Sequence, residues 1–454
     1  MQKFTIEEAR ASCGGRYLVP GEGDIKGVTI DSRSAEEGAL FVPVAGERVD
    51  GHDYIKAAFE RGAAASLCER NGINIDCGAV IGVDNSVEAI GRIARAYKMK
   101  YNVPTVGITG SVGKTTTKDM IAAVMSKKFN CLKTQGNFNN ELGLPLTVFG
   151  LEKEHGAAVL EMGMSAFGEI HHLADIARPD VAVITNIGMS HIENLGSREG
   201  ILKAKMEICD FFGRDNLLII NGDNDMLKTV DRSADYEILT YGIKSDKLDL
   251  RGYDAEDYGI DGCKFKVDID DKSYEVRVRA AGVHNIYNAL AAIAVGRRYG
   301  IAMEEIIAAV GEFELTAMRM SIEKYGGITL INDCYNASPD SIKASLGVLK
   351  KSAGRRVAVL GDVLELGEYA KQAHLSIGRM CGGAADVVIC AGENAKYIAE
   401  CAKDAVRQVY YFPATEQAAE FAAQNVKEGD TVLVKASRGM HFEDICKAIG
   451  DKVK

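Results

Sequence analysis

Short apolar runs recur along the chain, and most are followed by a polar turn and then by text with helical spacing. Val28–Ile30, Leu40–Val44 and Ala79–Val83 read as strands, and Val87–Met99 reads as a helix. Pro104 follows polar residues and disfavours continued helix, so a domain boundary is expected near Tyr101–Pro104. The alternation then becomes regular. Val103–Thr109 reads as a buried strand with a helix behind it over Thr115–Lys127, and Ala157–Met162 and Val181–Ile187 repeat the pattern. Apolar strands alternating with helices predict a parallel sheet covered on its faces. From Leu248 to Arg279 the text switches to polar–apolar alternation around an Asp270-Asp271 turn, which predicts a β-rich excursion. Helical spacing returns at His284–Tyr299, and a second boundary is expected near Gly311–Met320. Beyond it Ile328–Asp333, Arg356–Gly361, Asp386–Cys390, Val409–Phe412 and Thr431–Lys435 read as strands. Ser338-Pro339 opens a helix, with Ser as cap and Pro at its first position.

The expected architecture is α/β in three domains. Residues 1–101 form a small α/β domain, 102–313 a central parallel-sheet domain with the β-rich excursion, and 314–454 a Rossmann-like domain lacking a G-x-G-x-x-G turn. A length of 454 residues agrees with three domains, at about 150 residues each.

Composition narrows the function classes. Lys and Arg total 54 against 64 Asp and Glu, a formal charge of −10, which argues against coating nucleic acid. There are 48 glycines, 7 prolines and no tryptophan, as expected of many tight strand-to-helix turns. The 11 cysteines are scattered; even close pairs such as Cys68 and Cys77 are not in C-x-x-C spacing, so reduced thiols in a cytoplasmic protein are expected. The segment from Met1 carries Lys3, Glu7, Glu8 and Arg10 without an apolar core, and no apolar run is long enough to span a membrane.

The strongest motif is Thr109-Gly110-Ser111-Val112-Gly113-Lys114-Thr115-Thr116, between a buried strand and a helix. Glycines let the backbone N–H groups curl around phosphate oxygens, and the helix N-terminus adds positive potential. Lys114 can reach the outer phosphates, and the Thr115 hydroxyl can ligate Mg²⁺. Position 108 is Ile, so the loop is the shorter G-x-x-G-K-T form. No N-K-x-D base-reading segment accompanies it, and the candidate acidic strand ends in Glu161, which could hold Mg²⁺ directly or through water.

Further blocks follow in order: Asp31-Ser32-Arg33, Gly46-Glu47-Arg48, Asp50-Gly51-His52, Gln135–Pro145 with Asn137 and Asn140, Glu161–Ser165, Gly168-Glu169-Ile170, Ser190-His191-Ile192, Ala204-Lys205-Met206, Gly282–Asn285 with Asn288, Asn332–Pro339, Gly361–Gly367 and Lys435–Gly439. Together with the phosphate loop they resemble the ATP-dependent Mur ligases of bacterial peptidoglycan synthesis, across nearly the whole chain. Within that family the blocks Glu161–Ser165 and Gly168-Glu169-Ile170, and the absence of an Asp-Asn-Pro-Arg motif, favour the dipeptide-adding branch.

The resemblance implies a reaction and roles. The reaction would join D-alanyl-D-alanine to UDP-N-acetylmuramoyl-tripeptide through an acyl phosphate, using ATP and Mg²⁺. The first domain would bind the UDP-sugar, the central one ATP, and the last would complete the ATP and amine sites. Lys114, Lys205, His191 and Arg319 would be catalytic. Gly110, Ser111, Val112, Gly113, Lys114, Thr115, Thr116, Asn285, Asn288, Arg319 and Asp333 would bind ATP. Thr115, Glu161, His191 and a carbamylated Lys205 would hold the metal. Ser32, Arg33, Asn137, Asn140, Asn336 and Ser437 would contact the other substrates. A monomer without nucleic-acid partners is expected.

Read without the family, several of these residues have plainer roles. Lys205 would be a solvated lysine on a helix spanning Arg198 to Phe212, Arg33 a surface loop cation, and Asn285 and Asn288 a polar cluster at a helix start. Three other functions compete: a third-residue-adding Mur ligase, a folylpolyglutamate-synthase-like ligase, and a nucleotide-driven regulatory switch that makes no amide.

Overall fold

The computed structural model describes residues 3–46, 48–71 and 78–453. Met1, Glu47, Cys77 and Lys454, which fall within the sequence features above, lie outside the described residues. No helix among the described residues is long and apolar enough to cross a membrane.

Three sheets organise the chain. The first orders its strands as Arg16–Val19, Ala79–Gly82, Ala65–Cys68, Ala39–Phe41 and Gly27–Thr29, parallel except for the first pairing. Its helix Ser86–Lys98, capped by Asn85, buries Ala89, Ile90, Ile93, Ala94 and Tyr97 on one face. That helix also meets the central lobe. Arg95 lies 3.0 Å from Asp175, and the Tyr97 hydroxyl donates to the Leu151 carbonyl at 2.7 Å. Apolar packing is continuous from Phe4 through Leu160 to Leu433, so the lobes share buried surface.

The central sheet has nine strands. Its parallel part runs Cys131–Lys133, Ala157–Glu161, Thr105–Thr109, Val181–Ile184, Leu217–Asn221, Glu237–Gly242 and Leu250–Asp257. The β-rich segment is not a separate excursion. Leu250–Asp257 pairs in parallel with Glu237–Gly242, and Cys263–Ile269 and Lys272–Val278 continue the same sheet as an antiparallel hairpin. Asp270 and Asp271 both take positive φ, 49° and 61°, as a tight two-residue hairpin turn requires. Helices Lys114–Met125 and His284–Arg298 pack side by side against this sheet.

The last sheet orders its strands as Ser321–Tyr325, Ile328–Asn332, Asp430–Lys435, Arg355–Gly361, Val387–Ala391 and Gln408–Phe412. All pairs are parallel except Ser321–Tyr325 with Ile328–Asn332. The expected helix over Arg198–Phe212 is shorter: the α-helix covers Arg198–Met206 and tightens to a 3₁₀ turn over Glu207–Cys209.

Candidate active site

The main cavity, about 560 Å³, opens at the C-terminal ends of Thr105–Thr109, Ala157–Glu161 and Val181–Ile184, where parallel sheets place their ligands. The C-terminal lobe closes its other side with Arg319, Asp333, Tyr335 and Asn336.

The phosphate loop is held rigidly from below. Gly110 has φ 150°, and a Cβ there would collide with the Thr185 hydroxyl. Gly113 has φ 83°, a left-handed conformation that lets the helix start at Lys114. The Val112 N–H donates to the Asn186 side-chain carbonyl at 2.9 Å, while the Thr185 hydroxyl donates to the Val112 carbonyl at 2.6 Å. Ser111 through Thr116 line the cavity; Gly110 does not, and contributes its carbonyl as acceptor for Lys114 Nζ at 2.8 Å. Burial pushes the Lys114 amine below its ordinary value; Glu161 opposes this and Arg319 adds to it.

Behind the loop, the Thr115 hydroxyl donates to Glu161 Oε2 at 2.8 Å, and Asn139 Nδ2 donates to Glu161 Oε1 at 2.8 Å. Glu161 is thus fixed at both oxygens at the end of its strand. Asn139 is a residue that sequence reasoning passed over in favour of its neighbours. Asn137 is exposed and off the cavity wall, whereas Asn140 lines the wall and accepts from the Gly143 N–H.

At the start of helix His284–Arg298, Asn288 lines the cavity but Asn285 does not. Asn285 is 1 % exposed; its amide donates to the Ala281 carbonyl and its oxygen accepts from Asn288, so it orients Asn288 from behind. His284 takes the place on the wall, and burial lowers its imidazole pKa. Asp333 reaches the cavity but is already engaged. Lys435 Nζ donates to its Oδ2 at 2.6 Å, Ser345 donates to the same oxygen, and the Met320 N–H donates to Oδ1. Lys435 also donates to the Asn336 carbonyl at 3.1 Å, so one amine positions both sequence candidates. Arg319 stacks over the Tyr335 ring, its guanidinium 4.0 Å from the centroid.

His191 lines the cavity, and its Nδ1 lies 2.7 Å from Glu365 of the C-terminal lobe, off the line of a hydrogen bond. The imidazole holds the Glu365 carboxyl below its usual range. Lys205 is 1 % exposed, and among the described residues no acceptor or carboxylate is paired with its amine. Burial holds it well below its ordinary value, and Lys114 adds to that. Lys205 itself does not line the cavity, nor do Gly110, Asn137 and Asn285, and three further candidates also stand apart from its wall. Ser32 is buried in the first lobe, Arg33 is exposed and pairs with Asp31 at 2.8 Å, and the Ser437 hydroxyl accepts from the Leu364 N–H at 3.0 Å. Their local partners explain the difference: Arg33 turns back on the cap of its own short helix, and Ser437 braces the loop that carries Glu365.

A phosphate loop with its lysine, a fixed carboxylate beside the loop threonine, and an arginine delivered by a second lobe define a nucleotide-dependent enzyme that handles phosphoryl groups. Family models match in all three lobes: the Mur ligase family catalytic domain over residues 24–98, the Mur ligase middle domain over 108–296, and the Mur ligase glutamate ligase domain over 318–438. The chain is similar to the UDP-N-acetylmuramoyl-tripeptide–D-alanyl-D-alanine ligase of Bacillus subtilis, 40% identical over 435 residues, covering 93% of each chain. The Escherichia coli enzyme of the same name is 32% identical over 431 residues, again covering 93% of each. Among solved structures, MurF from Acinetobacter baumannii superposes with a TM-score of 0.91 at 29% identity over 99% of both chains. The MurF ligase of Thermotoga maritima in complex with ADP gives 0.84 at 31% identity over 94% of this chain and 97% of that one. The chain belongs to the Mur ligase family.

Proposed function

We propose that this chain joins D-alanyl-D-alanine to UDP-N-acetylmuramoyl-tripeptide at the expense of ATP, in the cytoplasm and as a monomer. The observation that carries the reading is the convergence of Lys114, Thr115, Glu161 and Arg319 on one cavity between two lobes. Relatives at 40% and 32% identity bear that activity in their names. We assign residues 1–101 to the UDP-sugar, 102–313 to ATP, and 314–454 to completing the ATP and amine sites.

A carboxylate cannot acylate an amine, because its oxygen is a poor leaving group. Transfer of the γ-phosphoryl to the tripeptide carboxylate gives ADP and an acyl phosphate. The dipeptide amine then attacks the carbonyl carbon, phosphate leaves, and the nitrogen loses a proton. Lys114 and Arg319 offset the charge where two anions meet. Lobe closure holds three reactants together and excludes water.

Thr115 and Glu161 offer the hard oxygen donors that Mg²⁺ prefers, and their oxygens are already 2.8 Å apart. Mg²⁺ would neutralise phosphate charge there, with His191 on the same wall. Lys205 fits carbamylation, since burial without a paired counter-charge lowers its amine well below the ordinary value and so favours the neutral, nucleophilic form that adds CO₂. The carbamate would supply a second anion for the metal.

The test is product formation. Incubation with ATP, the UDP-linked tripeptide and D-alanyl-D-alanine should yield one amide product by mass spectrometry. A third-residue-adding ligase would instead join a free amino acid to the UDP-linked dipeptide, and a folylpolyglutamate-synthase-like ligase would add glutamate to a folate. A switch would hydrolyse or bind ATP with no amide formed.

A further inference from the structure

The linker between the central and C-terminal lobes is tied to the phosphate-loop helix by one bond. The Thr316 hydroxyl donates to Asp119 Oδ2 at 3.0 Å. Asp119 stands on helix Lys114–Met125, so it belongs to the same rigid element as Lys114. Asp119 is 8 % exposed, and Lys133 and Lys118 lie 2.7 Å and 3.0 Å from its Oδ1. Burial raises its carboxyl pKa, and the two lysines more than offset this, so the group stays ionised as an acceptor. Three residues after Thr316 comes Arg319, whose own N–H donates to the Thr316 carbonyl at 3.2 Å.

The far side of Arg319 is pinned as well. The Tyr335 N–H donates to the Met318 carbonyl, and the Met320 N–H donates to Asp333. Met318 and Met320 flank the arginine with φ 62° and 57°, a left-handed conformation that costs a non-glycine residue energy and persists only where the surroundings enforce it. Packing of Met318 against the C-terminal core, together with these bonds, supplies that enforcement.

We propose that Thr316 and Asp119 are positioning residues whose bond locks the strained linker to the phosphate-loop helix and so sets Arg319 opposite Lys114. The inference rests on the proposed phosphoryl-transfer role of Arg319. Arg319 already lies close enough to Lys114 for its charge to depress the lysine. Neither Thr316 nor Asp119 lines the cavity, so their effect passes through the arginine.

The test is a double-mutant cycle on ADP release in the complete three-substrate reaction, with the melting temperature of each variant recorded. Thr316→Val, which keeps the shape and removes the donor, should lower kcat about tenfold. It should leave ADP affinity unchanged and lower the melting temperature by no more than a few degrees, and Thr316→Ser should restore the rate. In an Arg319→Lys background the same Thr316→Val change should cost less than about twofold, because the group being positioned is gone. Full activity of Thr316→Val, or an equal loss in both backgrounds, would overturn the proposal. An Arg319→Lys variant as active as the parent would instead overturn the role assigned to Arg319, whatever Thr316→Val does.

Discussion

Lys205 in the central lobe and Lys435 in the C-terminal lobe are equally hidden, at 1 % and 2 % exposure, yet their surroundings are opposite. Lys435 donates to the Asp333 carboxylate at 2.6 Å and to two main-chain carbonyls, so its charge is answered on every side. Among the described residues no anion is paired with Lys205; the charge that bears on it is Lys114, of the same sign. A buried, paired amine is a structural cation that holds other groups in place. A buried, unpaired amine bears the full cost of desolvation, which shifts it toward its neutral, nucleophilic form. In the proposed reaction the pair therefore separates scaffold from chemistry by environment, where sequence shows only two lysines.

The largest expected effect tests that separation. Lys205→Ala should lower kcat by about 10²–10³, the range for removing one preorganised electrostatic group. Millimolar acetate or another short carboxylic acid should partly restore it. Lys435→Ala should lose activity too, but no small acid should rescue it. Rescue of both, or of neither, would erase the distinction.

Next in size is the partner deletion. Asp333→Asn leaves Lys435 buried without its carboxylate and should cost about 3 kcal/mol in urea unfolding. No such deletion exists for Lys205, because among the described residues no carboxylate is paired with it.

A smaller effect follows from proton binding. The folded Lys205 amine titrates well below the ordinary 10.5, so over that window the unfolded chain binds more protons than the folded one. In CO₂-free buffer, stability should therefore rise with pH from the lowered folded value up to about 10.5. Lys205→Met should flatten that part of the curve, as read from unfolding midpoints across pH.

The smallest effect is at the exposed pair in the first lobe. Arg33→Ala should leave the melting temperature unchanged, since Arg33 and Asp31 sit in solvent. A rise in KM for the UDP-linked substrate alone would place Arg33 on that ligand, and an unchanged KM would return it to the surface.

Much of this was legible from patterns that depend on backbone alone. The phosphate loop is one, because Gly110 and Gly113 occupy positions whose φ angles and close contacts favour glycine. Ile328–Asn332, Asp430–Lys435 and Val387–Ala391 are others, since strands buried on both faces read as continuous apolar runs. Less legible were Glu237–Gly242, half polar in text, and Ser321–Tyr325, an edge strand whose Glu323 and Lys324 resemble a surface loop. Leu217–Asn221 was overlooked despite its apolar run, because length and composition alone do not separate a short strand from helix.

The site divides in the same way. Lys114 is held by the Gly110 carbonyl of its own loop and Thr115 stands in the first turn of the helix that follows, so the motif announces them. Asn139 and Lys435 owe their roles to partners far along the chain, Glu161 and Asp333, and only the fold brings those pairs together. Asn285 illustrates the converse: helical spacing puts it beside Asn288, yet burial turns it into a support behind the wall.

The central claim is that this cavity makes an amide bond from three reactants. ADP release should be fast only when the UDP-linked tripeptide and D-alanyl-D-alanine are both present, with one amide product formed per ADP by mass spectrometry. Brisk ATP hydrolysis indifferent to both substrates, with no amide product, would contradict it.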